Sequence, residues 1–237
     1  MKRILLPIIG LAFFTARTLT AADEPRGNVI ELHSCELYAG GCVVSSEATL
    51  GGRYMLRAWD FAAGAYANTD FTGLRAALLQ TSHENLAAEK VPAESAVIYL
   101  PQDATKAQRA ALLKWMITSQ PELKSAKIHT RVVPLQILGN GTGFTLTSGK
   151  FLSLQTAGLE SCDNACGAAL WYEPRTPTTV FTVALNRSSH VTEPLLKLKW
   201  DDSGKRSIFI GKFAGSASSK TEFVTASDWC APTEKLF

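Results

Sequence analysis

The chain has 237 residues, 46 % of them hydrophobic, and a formal net charge of +3. That length allows one large or two small domains and a core that needs no disulfides to form. The excess positive charge lies at the N-terminus: discarding residues 1–22 removes Lys2, Arg3 and Arg17 and no acidic residue, taking 24 basic residues to 21 against 21 acidic ones. No cluster of Lys and Arg remains to form the basic face that nucleic-acid binding requires, and an electrostatic membrane-surface role loses its support in the same way.

Residues 1–22 carry the marks of a secretory signal peptide. A basic start, Met1-Lys2-Arg3, precedes the apolar run "ILLPIIGLAFFTA", and small residues at Thr20 and Ala22 suit cleavage after Ala22. The other reading, an uncleaved anchor, has Arg17 interrupting its run and no second span after it. A periplasmic or secreted location is expected, with no transmembrane span after cleavage.

Strands are predicted over 28–35 ("NVIELHSC"), 51–61, 73–81 and 95–101, the last closed by Pro101. Between 103 and 120 the period changes. Leu112, Leu113, Trp115, Met116 and Ile117 form a helical stripe, Thr105 can cap its start and Pro121 stops it, so one amphipathic helix is expected over about 104–119. Residues 126–138 alternate as a strand, and "GNGTG" (139–143) sets a soft boundary. Beyond it the chain reads as all β, with Asp202-Ser203-Gly204 expected to turn a hairpin. The predicted class is α+β, mostly antiparallel sheet with the single helix packed on it. The regions are 1–22 (signal), 23–138 (α+β) and 139–237 (β-rich), the last two read either as separate or as parts of one domain.

The first of these regions resembles the bacterial family known as domain of unknown function 1326. The resemblance runs over about residues 29–138. It is carried by Gly64 and Tyr66, Asp70, Gly73 and Leu74, the strand Ala96 to Tyr99, and Ala104, Thr105, Gln108 and Arg109. It implies a shared fold and an N-terminal cysteine site suspected of binding metal, but no reaction. The family packs three or four cysteines into its first loop, whereas only Cys35 and Cys42 stand here.

Five cysteines in an exported chain leave at least one unpaired. His33 and Cys35, two apart on a predicted strand, would share a face. Cys42 follows after "AGG", and Cys162 and Cys166, four apart, could bite one ion. Thiolates with an imidazole suit Cu(I) or Zn(II). The candidate metal ligands are therefore His33, Cys35, Cys42, Cys162 and Cys166, with copper or zinc as the candidate cofactor. Two disulfides, local or crossed, are the alternative that an oxidising compartment favours. Thiol–disulfide exchange comes third, because the Cys-x-x-Cys spacing that depresses a thiol pKa is absent. Cys230 is expected to be a spectator thiol or an intermolecular bridge. His83 and His190 are read as loop residues, and His129 as lying mid-strand on a polar face. No nucleophile elbow, phosphate loop or zincin motif occurs, so no catalytic residue is assigned. Two functions follow: an exported, non-enzymatic protein that handles a soft metal ion, or a disulfide-stabilised envelope protein that binds another macromolecule.

Overall fold

The computed structural model describes residues 24–39, 51–88, 91–160, 169–215 and 222–223. Its strands are β1 (Arg26–His33), β2 (Tyr38–Ala39), β3 (Tyr54–Ala63), β4 (Ala65–Tyr66), β5 (Thr69–Asp70), β6 (Arg75–Thr81), β7 (Ser95–Pro101), β8 (Lys127–Val133), β9 (Gln136–Asn140), β10 (Gly143–Ser148), β11 (Leu152–Ala157), β12 (Ala169–Leu170), β13 (Val180–Glu193), β14 (Leu198–Asp202), β15 (Lys205–Ala214) and β16 (Glu222–Phe223). The helix α1 spans Lys106–Ser119 between β7 and β8.

Thr105 starts α1 as expected. Its hydroxyl accepts from the Gln108 N–H, and the Gln108 side chain accepts from the Thr105 N–H, so two donors without helical partners are satisfied reciprocally. Pro121 then opens a 3-10 turn, Pro121–Leu123. The helix carries the chain back so that β7 and β8 pair in parallel, which no short hairpin could do. The sheet is consequently mixed rather than wholly antiparallel; β16 also runs parallel to β13.

Twelve strands of the described residues form one sheet, ordered β8-β7-β6-β3-β1-β15-β13-β11-β10-β9, with β14 and β16 added on β13. Because β1 pairs with both β3 and β15, strands from either side of the 139–143 segment share it. The sheet curls. Ile30, Leu56, Leu79 and Val97 on one side meet Ile137, Leu146, Leu154 and Ile208 on the other in a single buried cluster. On the outer face, α1 covers β3, β6 and β7. Trp115 stacks edge-on against Trp59 at 6.0 Å and Phe61 at 5.1 Å between ring centroids.

Residues 171–178 form a strap over the outer face next to α1. They cross β15 so closely that a Cβ on Gly211 would sit 2.7 Å from Thr178 Cγ2 and 2.9 Å from the Val180 carbonyl oxygen.

The expected hairpin at Asp202-Ser203-Gly204 does not form. Asp201 and Asp202 lie in β14, and β14 and β15 run as successive parts of one extended stretch along β13: Ser189 faces Asp202 and Asn186 faces Lys205. Gly204, at φ +71°, absorbs the irregularity between them. The reversal comes earlier, through the 3-10 turn Pro194–Leu196 and a left-handed Lys197. His190, expected in a loop, is consequently a strand residue in β13. No helix of the described residues is long and apolar enough to cross a membrane.

Candidate functional site

β1 and β3 are central strands covered on both faces, so polar side chains on them are buried along with their apolar neighbours. Glu31 on β1 stands opposite Arg57 on β3. The side chains of Glu31, His33, Arg57 and Gln80 are all essentially without solvent contact. Burying such groups is costly unless each is paired, and here nearly all of them find partners.

Glu31 is the hub. Its Oε1 lies 2.8 Å from His33 Nε2 and accepts from the Arg175 backbone N–H at 2.8 Å, while Oε2 accepts from the Thr176 N–H at 3.0 Å. Burial on its own would raise the Glu31 carboxyl. The His33 hydrogen bond and charge, the Arg57 charge and the Arg175 N–H outweigh it and hold the group below the ordinary carboxylate value. An ionised carboxylate only accepts, so the Nε2 that faces Glu31 carries a proton; in the neutral form of the ring the lone pair is then on Nδ1. That Nδ1 is buried and has no hydrogen-bond partner among the described residues. The ring packs edge-on against Phe209, centroids 5.7 Å apart.

Arg57 ties the two covers of the sheet together. Its guanidinium donates to Gln80 Oε1 at 2.7 Å, to Gln120 at the C-cap of α1, to Glu122 in the 3-10 turn that follows, and to Thr176 Oγ1 in the strap at 3.4 Å. Arg175 fixes the strap from the other side, donating to the carbonyls of Leu86 (3.3 Å), Ala88 (2.7 Å) and Val91 (3.0 Å).

Cys35 lies two residues past the end of β1, not on the strand as expected, because β1 stops at His33. Its thiol pairs with no other cysteine among the described residues, is fully buried, and is pushed by burial up to about 12. Its Sγ lies 3.9 Å from Asn85 Oδ1, and Asn85 Nδ2 donates to the Tyr172 hydroxyl at 3.0 Å, so Asn85 joins this thiol to the strap. Cys42, Cys162 and Cys166 lie outside the described residues, as does Cys230. Among the described residues no group of three or more His, Cys, Asp or Glu is placed to hold a metal ion.

The two cysteine-bearing regions are nevertheless joined by a ladder. β2 pairs antiparallel with β12, Tyr38 facing Leu170 and Ala39 facing Ala169. The Trp171 N–H donates to the Leu37 carbonyl at 2.8 Å.

A second buried carboxylate, Glu193 of β13, sits elsewhere. Its two oxygens accept from Arg131 Nε and Nη2, each at 2.7 Å, from the Tyr99 hydroxyl at 2.7 Å and from the Leu195 N–H at 2.8 Å. It ties β13 to β7 and β8 across the curl.

Of the other histidines, His83 makes an exposed pair with Glu94 and His190 one with Asp201. Both are solvated surface contacts of small energetic weight. Reading the sequence missed Glu31, Arg57, Arg175 and Glu193. In "NVIELH" and "YMLRAWDF" a charge between apolar residues looks like the wet face of a strand, and the one available signal was the density of apolar residues around it.

Fold and site together define a curled, mixed sheet with a single helix and a buried histidine oriented by a carboxylate. A scan of protein-family models finds no match to the chain. Searches of curated proteins and of solved structures return no match either. The resemblance described from sequence motifs rests on those motifs.

Proposed function

We propose that this is an exported, non-enzymatic protein that binds a soft or borderline metal ion, Cu(I) or Zn(II), through His33 with Cys35, Cys42, Cys162 and Cys166. The observation that carries the reading is His33: a buried ring whose Nε2 is held by a carboxylate while Nδ1 has no partner among the described residues. Metal-ligating histidines commonly have this arrangement, in which the second nitrogen's partner fixes the tautomer and aims the first.

The β2–β12 ladder supports a shared site. Cys42 stands three residues after Ala39, and Cys166 three residues before its partner Ala169. Uptake is tested on reduced protein by competition with a chromophoric chelator. One equivalent of Cu(I) or Zn(II) per chain, lost in His33→Ala and weakened in the Cys→Ser variants, is expected. Uptake that none of these changes alters overturns the assignment.

A second reading, a disulfide-stabilised interaction module, is favoured by two observations. The equal spacing of Cys42 and Cys166 from the Ala39–Ala169 pair suits a crossed disulfide as well as a shared ion, and Trp171 at the start of the strap is 62 % exposed. Peptide mapping without reductant separates the two: a stoichiometric Cys42–Cys166 bridge in protein recovered from its native compartment supports the module.

A further inference from the structure

We infer that Asn140 is a site of spontaneous deamidation and that its isoaspartyl product loosens β9, a strand at the end of the sheet. The reacting groups are the Asn140 side-chain amide and the backbone nitrogen of Gly141.

Asn140 ends β9 and faces Gly143 at the start of β10, so Gly141 and Thr142 make a two-residue hairpin turn between them. Gly141 sits at φ +56°, and a Cβ built on it would meet nothing within 4 Å. Asn140 and Gly141 are both exposed. Neither the Asn140 side-chain amide nor the Gly141 N–H forms a hydrogen bond among the described residues. Nothing anchors the two groups or fills the space that ring closure needs. The other asparagines of the described residues are held or hindered. Asn186 is fully buried and donates to Ser189 Oγ at 2.9 Å. Asn85 accepts from the Ala87 N–H at 2.8 Å and donates to the Tyr172 hydroxyl at 3.0 Å. Asn28 precedes Val29 and Asn68 precedes Thr69, so a β-branched side chain shields the attacking nitrogen in each.

Loss of the Gly141 amide proton lets its nitrogen attack Asn140 Cγ. The new N–C bond closes a succinimide ring, and the side-chain nitrogen leaves as ammonia. Water then adds to one of the two ring carbonyls and breaks its bond to the ring nitrogen. Opening at the backbone carbonyl leaves isoaspartate, in which the main chain runs through the former side chain and is longer by a methylene; opening at the other leaves aspartate. A two-residue turn has no slack for the longer chain. Gly139, at φ +126°, lies so close to β10 that a Cβ on it would sit 2.1 Å from the Gly143 carbonyl oxygen. The Asn140–Gly143 pair also starts the register that matches Leu138 with Thr145 and Ile137 with Leu146. Among the described residues β10 is the one strand that β9 pairs with, so no second neighbour holds β9 once that register slips.

Timed incubation of the folded full chain in neutral buffer, followed by peptide mapping, tests the site. The tryptic peptide 132–150 holds Asn140 as its one asparagine. It should lose the mass of an ammonia and gain that of a water, with fragmentation placing the change at position 140 and an isoaspartyl methylation assay detecting the longer linkage. Conversion at Asn140 should outpace that at Asn28, Asn68, Asn85 and Asn186 by at least about tenfold, and should lie within about tenfold of its own rate in the guanidinium-unfolded chain. A smaller lead over the other asparagines, or a stronger suppression by folding, overturns the assignment.

The consequence is tested on the isoaspartyl form, separated from unconverted protein by ion exchange. Its amides at 136–140 should exchange faster and its melting temperature should be lower. Asn140→Asp adds the same charge without the extra methylene and should match wild type in both. An isoaspartyl form that also matches wild type shows that β9 is not loosened. An Asn140→Asp variant loosened to the same extent shows that charge, not chain length, is the cause, and the backbone mechanism falls.

Discussion

Replacing Glu193 by Gln removes the charge from the group that ties β13 to β7 and β8 and changes the shape of the side chain very little. In the native protein its carboxylate accepts four hydrogen bonds, three of them from Arg131 and Tyr99. An amide offers one oxygen and places an NH₂ group against donors, so at least one of these contacts becomes donor-to-donor. Breaking a buried ion pair from one side costs about 3–5 kcal/mol. Arg131 is 22 % exposed and already lies over the Phe151 ring, so it can turn toward water and recover part of that. About 2–3 kcal/mol is expected, read as a lower urea midpoint with an unchanged slope in equilibrium unfolding followed by tryptophan fluorescence.

The pH dependence checks the same contact independently. Burial would raise Glu193, but the Arg131 hydrogen bonds, the Leu195 N–H, the Tyr99 hydroxyl and the Arg131 charge hold it below its ordinary 4.5. A depressed carboxylate contributes stability that is fully present above the unfolded value and is lost as pH falls through the folded one. The gap between wild type and Glu193→Gln should thus be constant from neutrality down to about 4.5 and close below it. A loss under about 0.5 kcal/mol, the size of an ordinary surface substitution, or a gap that ignores acid, would show that the clamp contributes nothing to holding the curl.

Three further outcomes follow from the packing. Gly211→Ala drives a methyl group into Thr178 and the Val180 carbonyl. It should cost about 1–3 kcal/mol by overpacking and raise the protease sensitivity of the strap, and an unchanged melting curve would contradict the close crossing. Thr105→Ala removes the capping box of α1 and should cost about 1 kcal/mol in thermal or urea unfolding. Trp115→Ala empties the ring cluster between α1 and the sheet, where Trp115 meets Trp59, Phe61, Phe71 and Phe213. A loss of about 3–5 kcal/mol is expected in urea titration.

The local features of the fold were legible. Thr105, the apolar stripe of 111–117 and Pro121 mark α1 without ambiguity, because capping and helical period are properties of a few neighbouring residues. β10 and β11 alternate buried and less buried positions along their lengths, so a period of two could be read directly. What lay beyond reach was long-range. That β1 is sandwiched between β3 and β15 depends on pairings almost 190 residues apart, and nothing in "NVIELHSC" announces a strand covered on both faces. Glu31 and Arg57 therefore read as surface charges. The Asp202-Ser203-Gly204 hairpin failed for a related reason: Gly204 supplies a left-handed residue, but a bulge along β13 uses that conformation as well as a turn does. For the candidate site, His33 and Cys35 could be named from residue type. The carboxylate that orients the imidazole, and the ladder linking the 38–39 and 169–170 segments, required the fold.

X-ray absorption at the metal edge tests the central claim most directly, using reduced protein loaded with one equivalent of Zn(II). A four-coordinate ion is expected, with sulfur neighbours at about 2.3 Å and a histidine nitrogen at about 2.0 Å, the nitrogen signal disappearing in His33→Ala. A first shell of oxygen and nitrogen without sulfur, or an imidazole contribution that survives His33→Ala, would contradict it.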